Sequence, residues 1–422
     1  MRSINRREFF AITAVVSSAN MLNAQASMTV KPGIYPHSKE VFVPSKDGTG
    51  VFPGFVTYIH KRRPHLLHRY GWVDASDTYD NFHESISKDN GKTWSEPKLA
   101  LKSIPVEGGL IRYIENAAFF DEDRKELIIF VSKFFYPDGK FDPNQARKVM
   151  ITRRNPKSDK IIDKVEHDFD QRGGMGCSFC FPIKTKSGRL VVPGFSARVD
   201  EQGAFVNHPV SKINNYDTFM MLGDYTKSGD FNWSISSPIQ AGDDQSTRGF
   251  SESALLELKD GRLAILCRGS NYKAPDMPGH KWLMFSEDDG SSWSKAQPMT
   301  CTDGSEMQSS ATGSTLFRSI KNGKVYFIGN LCADGKPANG NWPRSPLHIA
   351  EVDESTVSIK RETITIIDER SDDEGDKTQI SNFRYYQDRK TGEVVLYATR
   401  FGEKKDKVWK EANYYQYHIG II

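Results

Sequence analysis

One eight-residue turn occurs twice in this chain, at two places that lie far apart in the sequence. The first copy, Ser87–Trp94, reads SKDNGKTW, and the second copy, Ser286–Trp293, reads SEDDGSSW. Both fit the pattern Ser-x-Asp-x-Gly-x-(Thr/Ser)-Trp, and both continue into a short segment that begins with Ser and ends with Pro. Four chemical types kept at one spacing indicate that the chain is built from copies of one β unit.

The chemistry of this turn favours a structural role. The aspartate at its third position can accept hydrogen bonds from nearby backbone N–H groups. The glycine at its fifth position supplies the positive φ that a tight hairpin needs. The tryptophan begins the next strand and can pack between neighbouring sheets. We therefore interpret Asp89 and Asp288 as structural residues and not as catalytic ones.

The remainder of the chain predicts short strands joined by glycine-containing turns. No amphipathic pattern predicts a helix of more than three turns, and a weaker third copy of the repeated turn occurs at Ser228–Trp233. Repeated four-stranded units predict an all-β fold, a β-propeller in which residues 27–422 form one domain of six to eight blades of roughly 45–65 residues each. The clearest hairpin signals are Ala254–Cys267, Ser314–Gly329 and Asn382–Thr399.

The C-terminal run Tyr414–Ile422 alternates as a strand does. We expect this strand to close the ring by pairing with strands of another blade, because closure removes an unpaired sheet edge.

The N-terminal segment differs from the rest of the chain. Asn5–Phe10 contains an arginine pair followed by Glu-Phe-Phe, a modest apolar stretch follows it, and Ala24-Gln25-Ala26 fits a cleavage site. Residues 1–26 resemble a twin-arginine export signal, with an ordinary secretory signal as the alternative. Either signal predicts an exported protein, periplasmic or secreted.

Charge and cysteine content exclude several classes of partner. The net charge is +3, so a nucleic-acid partner is not expected, and no apolar run reaches the roughly 18 residues of a membrane span. Of the five cysteines, Cys177 and Cys180 form a lone C-x-x-C with no second pair and no histidine at zinc spacing. We expect no metal, no other cofactor and a monomer.

The repeated turns and the blocks between them resemble the sialidase (neuraminidase) superfamily, in which such turns are called Asp boxes or BNR repeats. The resemblance covers most of residues 27–422 in order. It implies a six-bladed β-propeller that hydrolyses terminal sialic acids from glycans. Asp boxes also occur in propellers that are not sialidases, so the blocks between them carry more weight.

Two blocks supply the first candidate site residues. The stretch Ser251–Leu263 is similar to the family's Asn-Glu-(x)-Val-Val-Glu-Leu-x-Asp-Gly-Arg-Leu. By this resemblance Glu252 is a catalytic residue and Arg268, after the next strand, binds the substrate carboxylate. The loop Asn341–Arg344 is similar to the family's Asn-Pro-Arg loop, which makes Arg344 a second carboxylate-binding residue.

Two further blocks lie in the first part of the chain. Asp77 precedes the first repeated turn by ten residues, close to the place of the family's acid/base aspartate, with Asp74 and Asp80 as alternatives. The stretch Ile111–Asn116, which contains Arg112, is similar to the family's second-blade loop at the rim of the site.

The sequence departs from the family pattern at two places. Val51-Phe52-Pro53 stands where the family has Arg-Ile-Pro, so Arg69 or Arg112 would have to replace the first of three arginines. The segment Ile380–Phe383 stands where the family has its nucleophilic tyrosine. Tyr385 and Tyr386 follow closely, and Tyr386 is the better candidate, because a shift of six residues keeps the same face of a strand.

The chemistry of an acidic sugar fits these residue types. Guanidinium groups bind a carboxylate through two parallel hydrogen bonds. In the family a glutamate deprotonates the tyrosine and an aspartate protonates the leaving oxygen, which assigns those roles to Glu252 and Asp77. We therefore expect an exported exo-α-sialidase-like glycoside hydrolase acting on terminal acidic sugars of a glycan substrate.

Two alternatives remain open. The first is a propeller polysaccharide lyase that acts on uronate-containing glycans with a histidine and a tyrosine, for which the histidine cluster His60, His65, His68 and His83 is available. The second is a non-catalytic carbohydrate-binding propeller. A lyase would release an unsaturated product that absorbs ultraviolet light, and a binding protein would release no reducing ends.

Overall fold

Six antiparallel β-sheets, arranged as the blades of a propeller, form the fold. The computed structural model describes residues 33–422, apart from residues 146, 168, 170–175, 178 and 180. Within this part of the chain the one helical segment is a 3₁₀ turn at Arg361–Thr363. The predicted all-β class and the six-bladed propeller are thus confirmed. The predicted export segment, residues 1–26, lies outside the described residues.

The first three blades follow one another along the chain. Blade 1 consists of β2 (Val51–Tyr58), β3 (Leu66–Ala75), β4 (Thr78–Ser87) and β5 (Lys98–Leu101). Blade 2 consists of β6 (Ile104–Val106), β7 (Gly109–Asp121), β8 (Glu126–Pro137), β9 (Arg147–Arg154) and β10 (Ile161–His167). Blade 3 consists of β11 (Ile183–Lys184), β12 (Leu190–Ala197), β13 (Tyr216–Tyr225) and β14 (Phe231–Ile235).

The last three blades continue the pattern, and the final one also uses the first strand of the chain. Blade 4 consists of β15 (Ser251–Glu257), β16 (Leu263–Arg268), β17 (Lys281–Ser286) and β18 (Gln297–Pro298). Blade 5 consists of β19 (Thr315–Arg318), β20 (Val325–Gly329), β21 (Leu347–Asp353), β22 (Ser358–Ile359) and β23 (Thr365–Asp368). Blade 6 consists of β24 (Phe383–Gln387), β25 (Val394–Thr399), β26 (Tyr414–Ile421) and β1 (Ile34–Val43).

The middle strands of the blades are apolar on both faces because each blade packs between two others. All six residues of β25 are buried, as are the five residues Leu263–Cys267 of β16. Six hydrophobic clusters each combine residues of two adjacent blades, and together they cover all six junctions of the ring. Burial of apolar surface between blades therefore holds the ring together.

The two ends of the described chain meet in blade 6. Strand β1 pairs with β26 in an antiparallel register that sets Ile34 opposite Ile421. The prediction for the C-terminal strand was therefore wrong in one respect. This strand pairs within its own blade, with β25 on one side and β1 on the other, and the N-terminal strand closes the ring. The edge of β26 is paired as expected, but by a strand from the opposite end of the chain, and β1 then forms the outer edge of the blade.

The two copies of the repeated turn form the same hydrogen bonds. In the first copy, Ser87 Oγ donates to Asp89 Oδ1 at 2.8 Å, the N–H of Thr93 donates to Asp89 Oδ1 at 2.9 Å, and the N–H of Gly91 donates to Ser87 Oγ at 2.8 Å. The second copy has the equivalent bonds at 2.8, 2.8 and 2.9 Å. The glycine of the turn has a φ of 84° in the first copy and 86° in the second. The aspartates are structural residues, as the sequence indicated.

Each copy connects the third strand of a blade to the fourth. In an antiparallel blade these connections lie at the same end as those between the first and second strands. The connections between the second and third strands lie at the other end. The third, weaker copy also connects a third strand to a fourth, β13 to β14, but Ser228 Oγ bonds Asp230 without the remaining bonds of the other copies.

We expect Asp288→Ala to destabilise the protein without changing what the opposite end of the propeller binds. The substitution removes the acceptor for the N–H and hydroxyl of Ser292 and for the hydroxyl of Ser286. The free energy of unfolding should fall by about 1–2 kcal/mol, measured by urea denaturation. The matched control is Asp276→Ala, an exposed aspartate on a loop. Equal stability of the two variants would contradict a structural role for the turn.

Candidate functional site

A cavity of about 850 Å³ opens at the end of the propeller that lies opposite the repeated turns. It is lined by the connections between the second and third strands of the blades and by the segments that lead into the inner strands. All six blades contribute. The charged side chains in its wall are Asp77, Arg147, Lys212, Arg248, Glu252, Arg268, Arg344 and Lys377.

Glu252 and Arg268 form an ion pair in the wall of this cavity. Arg268 Nη1 donates to Glu252 Oε1 at 2.5 Å, and Arg268 Nη2 donates to Asn341 Oδ1 at 3.1 Å. Glu252 has a φ of 45° and lies where the pairing of β15 with β16 shifts register between Ser251 and Ala254. A bulge of this kind redirects a side chain, and a glutamate at positive φ is strained.

The charge state of Glu252 is set by two opposing effects. Burial raises its pKa. The charge of the adjacent Arg268, the hydrogen bond from Arg268, and then the charges of Arg344 and Lys281 lower the pKa, and their combined effect is larger than that of burial. The pKa of Glu252 therefore lies below its ordinary value. Glu252 is an ionised carboxylate at neutral pH and can act as a base.

Arg344 lies beside this pair and is held by the polar groups around it. Its Nε donates to the backbone oxygen of Asn341 at 3.3 Å, and its Nη1 donates to Gln379 Oε1 at 2.7 Å. Burial and the nearby Arg268 lower the pKa of Arg344 to about 10, so the guanidinium stays charged at neutral pH. No carboxylate lies within ion-pair distance of Arg344 in the described part of the chain.

Asp77 reaches the cavity from the hairpin between β3 and β4. It has a φ of 53°, and its backbone oxygen accepts a hydrogen bond from the hydroxyl of Tyr136 at 2.5 Å. The two alternatives do not line the cavity. Asp74 pairs with Arg112, and Asp80 accepts backbone N–H groups, including that of Ser103 at 2.7 Å. The structure thus brings Asp77, Glu252, Arg268 and Arg344 to one cavity.

Arg112 and Arg69 do not line the cavity, which corrects their expected role. Arg112 Nη1 donates to Asp74 Oδ2 at 2.8 Å, and its guanidinium lies 5.4 Å from the centre of the Tyr136 ring. The Tyr136 hydroxyl in turn bonds the backbone oxygen of Asp77, so Arg112 helps to hold the Asp77 hairpin in place through Tyr136. Arg69 is buried between blades 1 and 2, where it pairs with Glu84 and bonds Asn116.

Tyr386 lies far from the cavity, so its expected role as nucleophile is also corrected. It is 6% exposed in the apolar cluster between blades 6 and 1, and its hydroxyl bonds the backbone oxygen of Asn90 in the first repeated turn. Tyr385 is partly buried, beside Thr315, and does not line the cavity either. A six-residue shift keeps the strand face, but it also moves about 20 Å along the strand, to the opposite end of the blade.

Four cationic residues of the cavity were not identified from the sequence: Arg147, Lys212, Arg248 and Lys377. Arg248 precedes Glu252 by four residues, and burial followed by repulsion from Arg268 lowers its pKa. The side chains of Arg248, Lys212 and Lys377 have no ion-pair partner within 4.0 Å among the described residues. The sequence feature that could have identified Arg248 is its position just before the inner strand β15.

Two tyrosines, Tyr79 and Tyr216, line the cavity in place of the expected one. Phe52 also lines it, and Val51, the position at which the resemblance places the family's first arginine, does not. None of the histidines that the structure describes does so. Those of the first blade lie elsewhere: His68 is buried against Tyr414, and His60 accepts backbone N–H groups of its own turn.

A buried lysine lies next to the pair of Glu252 and Arg268. Lys281 is 1% exposed, stands opposite Arg268 in the pairing of β17 with β16, and donates from Nζ to the backbone oxygens of Ser310 and Thr312. Burial, assisted by the charge of Arg268, lowers its pKa to about 7. Because Thr312 lines the cavity, Lys281 anchors part of the wall.

In the part of the chain that the structure describes, there is no cluster of three or more His, Cys, Asp or Glu residues that could hold a metal ion. Three of the described cysteines, Cys267, Cys301 and Cys332, are free and buried. Over the same residues, no helix has the length and apolar character that crossing a bilayer requires.

The chain matches no protein-family model and no curated protein sequence. Solved structures resemble it in fold. An intramolecular trans-sialidase from Ruminococcus gnavus is 13% identical, with 91% of this chain and 97% of that chain covered, at a TM-score of 0.56. A sialidase from Streptococcus pneumoniae is 14% identical, with 91% and 70% covered, at 0.56. A GH93 α-L-arabinofuranosidase of Fusarium graminearum is 11% identical, with 92% and 98% covered, at 0.56. These likenesses show the fold, a six-bladed β-propeller.

The lowered pKa of Lys281 has a consequence for stability. Between about pH 7 and the ordinary lysine pKa of about 10.4, the unfolded chain binds one proton more than the folded chain at this residue. The free energy of unfolding therefore rises with pH in this window, relative to Lys281→Met, by on the order of 3 kcal/mol. Urea denaturation from pH 7 to pH 10 measures the difference. The control Lys295→Met, at an exposed lysine, should show a constant difference, and a constant difference for Lys281→Met would contradict the shift.

Proposed function

We propose that the protein is a glycoside hydrolase that removes a terminal acidic sugar from a glycan. One observation carries this proposal: two carboxylates and four guanidinium groups, contributed by four of the six blades, line a single cavity. Carboxylate pairs supply the acid and base of most glycosidases, and arginines bind anionic groups on a substrate.

The charge of the cavity supports an anionic substrate. Six cationic side chains and two carboxylates line it, and Arg268 forms an ion pair with Glu252. Among the described residues, the side chains of Arg248, Arg344, Lys212 and Lys377 have no ion-pair partner within 4.0 Å. Unpaired cations in a partly buried site repel one another, and an anionic ligand removes that cost. In this proposal Arg248, Arg268 and Arg344 bind the carboxylate of the sugar, with Arg248 in place of the arginine that the first blade lacks.

The proposed chemistry assigns a role to each carboxylate. Glu252, whose pKa Arg268 and Arg344 help to lower against the effect of burial, is the base. Asp77, on the opposite wall, protonates the leaving oxygen. Tyr79 and Tyr216 replace Tyr386 as the candidate nucleophiles. A neutral phenol suits this task, because a carboxylate nucleophile would be repelled by the substrate carboxylate.

The shape of the cavity favours a chain end over the middle of a polymer, because loops of all six blades surround it. Sialic acid, with its carboxylate on the anomeric carbon, is the sugar that we propose first, and a uronic acid is the alternative. The polysaccharide lyase alternative loses its main support, since none of the four histidines of the first blade lines the cavity. Export through residues 1–26 would place this activity outside the cytoplasm.

Three substrates tested in parallel examine the proposal. The full chain is incubated with a fluorogenic sialoside, a fluorogenic glucuronide and an arabino-oligosaccharide, and product release is measured. We expect cleavage of an acidic substrate. Glu252→Gln should lower kcat by about 100-fold or more, and Arg248→Gln should lower kcat/KM by about 10- to 100-fold.

The matched control is Arg262→Gln, which removes an arginine of the same blade that pairs with Asp260 at the opposite end. Its kinetics should equal those of the parent chain. Cleavage of the arabino-oligosaccharide alone, or an ultraviolet-absorbing unsaturated product, would refute the proposed substrate or reaction. Release of a reducing end that Glu252→Gln leaves unchanged would remove Glu252 from the mechanism.

The pH dependence of kcat/KM tests the assignment of Glu252 as base. The base must be deprotonated, so the acid limb of the profile should lie below the ordinary glutamate pKa of about 4.3. In Arg268→Gln burial remains while the main opposing charge is lost, and the pKa of Glu252 should rise. We expect the acid limb to move up by about one pH unit or more in this variant and not in Arg262→Gln. An unchanged limb would contradict the assignment.

A further inference from the structure

Aromatic side chains cover one side of the cavity. Four of them, Phe52, Tyr79, Phe401 and Trp409, form what we call the aromatic wall, on the side of blades 6 and 1. The rings of Phe52 and Tyr79 are stacked with centroids 4.0 Å apart, and the rings of Phe401 and Trp409 meet at 5.2 Å with an angle of 60°. The guanidinium groups of Arg248 and Arg268 come from blade 4, across the ring.

Trp409 differs from the rest of this wall in its exposure. It is 41% exposed, whereas Phe401 is 2% and Phe52 is 7% exposed. Leaving a large apolar ring in water forgoes the stabilisation that burying it would give. An indole held at the mouth of a cavity in this way is the kind of surface that a ligand with an apolar face covers.

The loop that carries Trp409 is fixed in place by several hydrogen bonds. The N–H of Gly402 donates to the backbone oxygen of Trp409 at 2.7 Å, and the N–H of Asn413 donates to Glu403 Oε1 at 2.8 Å. Lys410 Nζ donates to the backbone oxygen of Asp74 at 2.6 Å, which ties this loop to β3, just before the Asp77 hairpin. The backbone of the loop is therefore held in place, and the indole packs against the buried ring of Phe401, so a ligand needs to order little of this loop when it binds.

The position of Asp77 indicates which part of the substrate meets the aromatic wall. Tyr79 follows Asp77 by two residues on the same hairpin, so the wall begins beside the proposed acid. The acid protonates the oxygen that stays with the leaving sugar, and the acidic sugar itself is bound by the arginines across the cavity. The cavity volume of about 850 Å³ lies in the upper part of the range of about 300–1,000 Å³ that pockets for drug-sized ligands span, which leaves room for a second sugar.

We infer that the aromatic wall is a binding site for the leaving sugar, a neutral pyranose whose C–H face stacks on the indole of Trp409. This inference rests on the proposed function for the direction of the substrate. A pyranose has one face made largely of C–H groups, which packs on an aromatic ring as other apolar groups do, while its hydroxyl groups remain in water.

Binding measurements test this inference separately from catalysis. Glu252→Gln chains with and without Trp409→Ala are titrated by calorimetry with 3′-sialyllactose, with N-acetylneuraminic acid and with lactose. Trp409→Ala should weaken 3′-sialyllactose binding about tenfold, abolish lactose binding, and change N-acetylneuraminic acid binding less than about twofold. Trp409→Phe should retain most of the affinity. Val408→Ala, at the neighbouring residue, which is 56% exposed, is the matched control, and circular dichroism checks folding.

The possible outcomes separate the two proposals. Equal weakening for 3′-sialyllactose and for the acidic monosaccharide would overturn the inference, because Trp409 would then serve the acidic sugar. No effect of Trp409→Ala, or no binding of lactose or 3′-sialyllactose by the parent, would overturn it too. Binding that depends on Trp409 without cleavage of any glycan would leave this site standing and refute the hydrolase. Cleavage of a glycan whose binding does not depend on Trp409 would leave the hydrolase standing and refute this site.

Discussion

Each blade of this propeller has two apolar faces, and only a closed ring covers both faces of every blade. The middle strands, such as β16 and β25, are buried along nearly their whole length, and an apolar cluster fills each of the six junctions. Closure through β1 and β26 is therefore the constraint on which the rest depends. It also sets the inner strands around one axis, so that residues far apart in sequence open onto one cavity.

That cavity concentrates like charges, which a stable fold ordinarily avoids. Arg248, Arg268 and Arg344 lie close enough that repulsion contributes to the lowered pKa of Arg248 and of Arg344, after the larger effect of burial. Glu252 offsets part of this repulsion through its pair with Arg268. The positive φ of Glu252 and of Asp77 adds local strain at the same place. The cavity end of the ring therefore loses stability through repulsion and strain, while the turns at the other end satisfy their polar groups. This difference between the two ends is typical of a binding site.

The sequence predicted the fold because local chemistry specifies it. The turn Ser87–Trp94 forms the bonds that its residue types allow, and the hairpin β15–β16 forms where its glycine turn indicated. It also indicated Asp77, Glu252, Arg268 and Arg344, through the resemblance of the blocks that contain them, and these four residues line one cavity.

The sequence could not predict the residues whose place depends on long loops or on distance along a strand. Arg147 and Lys212 come from connections whose path no periodicity describes. Tyr386 was predicted because it lies on the expected face of its strand, but the alternation of faces does not determine at which end of a blade a residue lies. Arg69 has the right charge but is paired with Glu84 between two blades, a contact visible only in three dimensions.

The pairing of β1 with β26 joins the first described strand to the last one in a single sheet. During synthesis, the strands of the first five blades are therefore made before the sixth blade can be assembled. The ring stays open until β26 has been synthesised. Covalent linkage of the two termini, with a new opening at a turn in another blade, would preserve every sheet. The order of synthesis would change, while the architecture would persist.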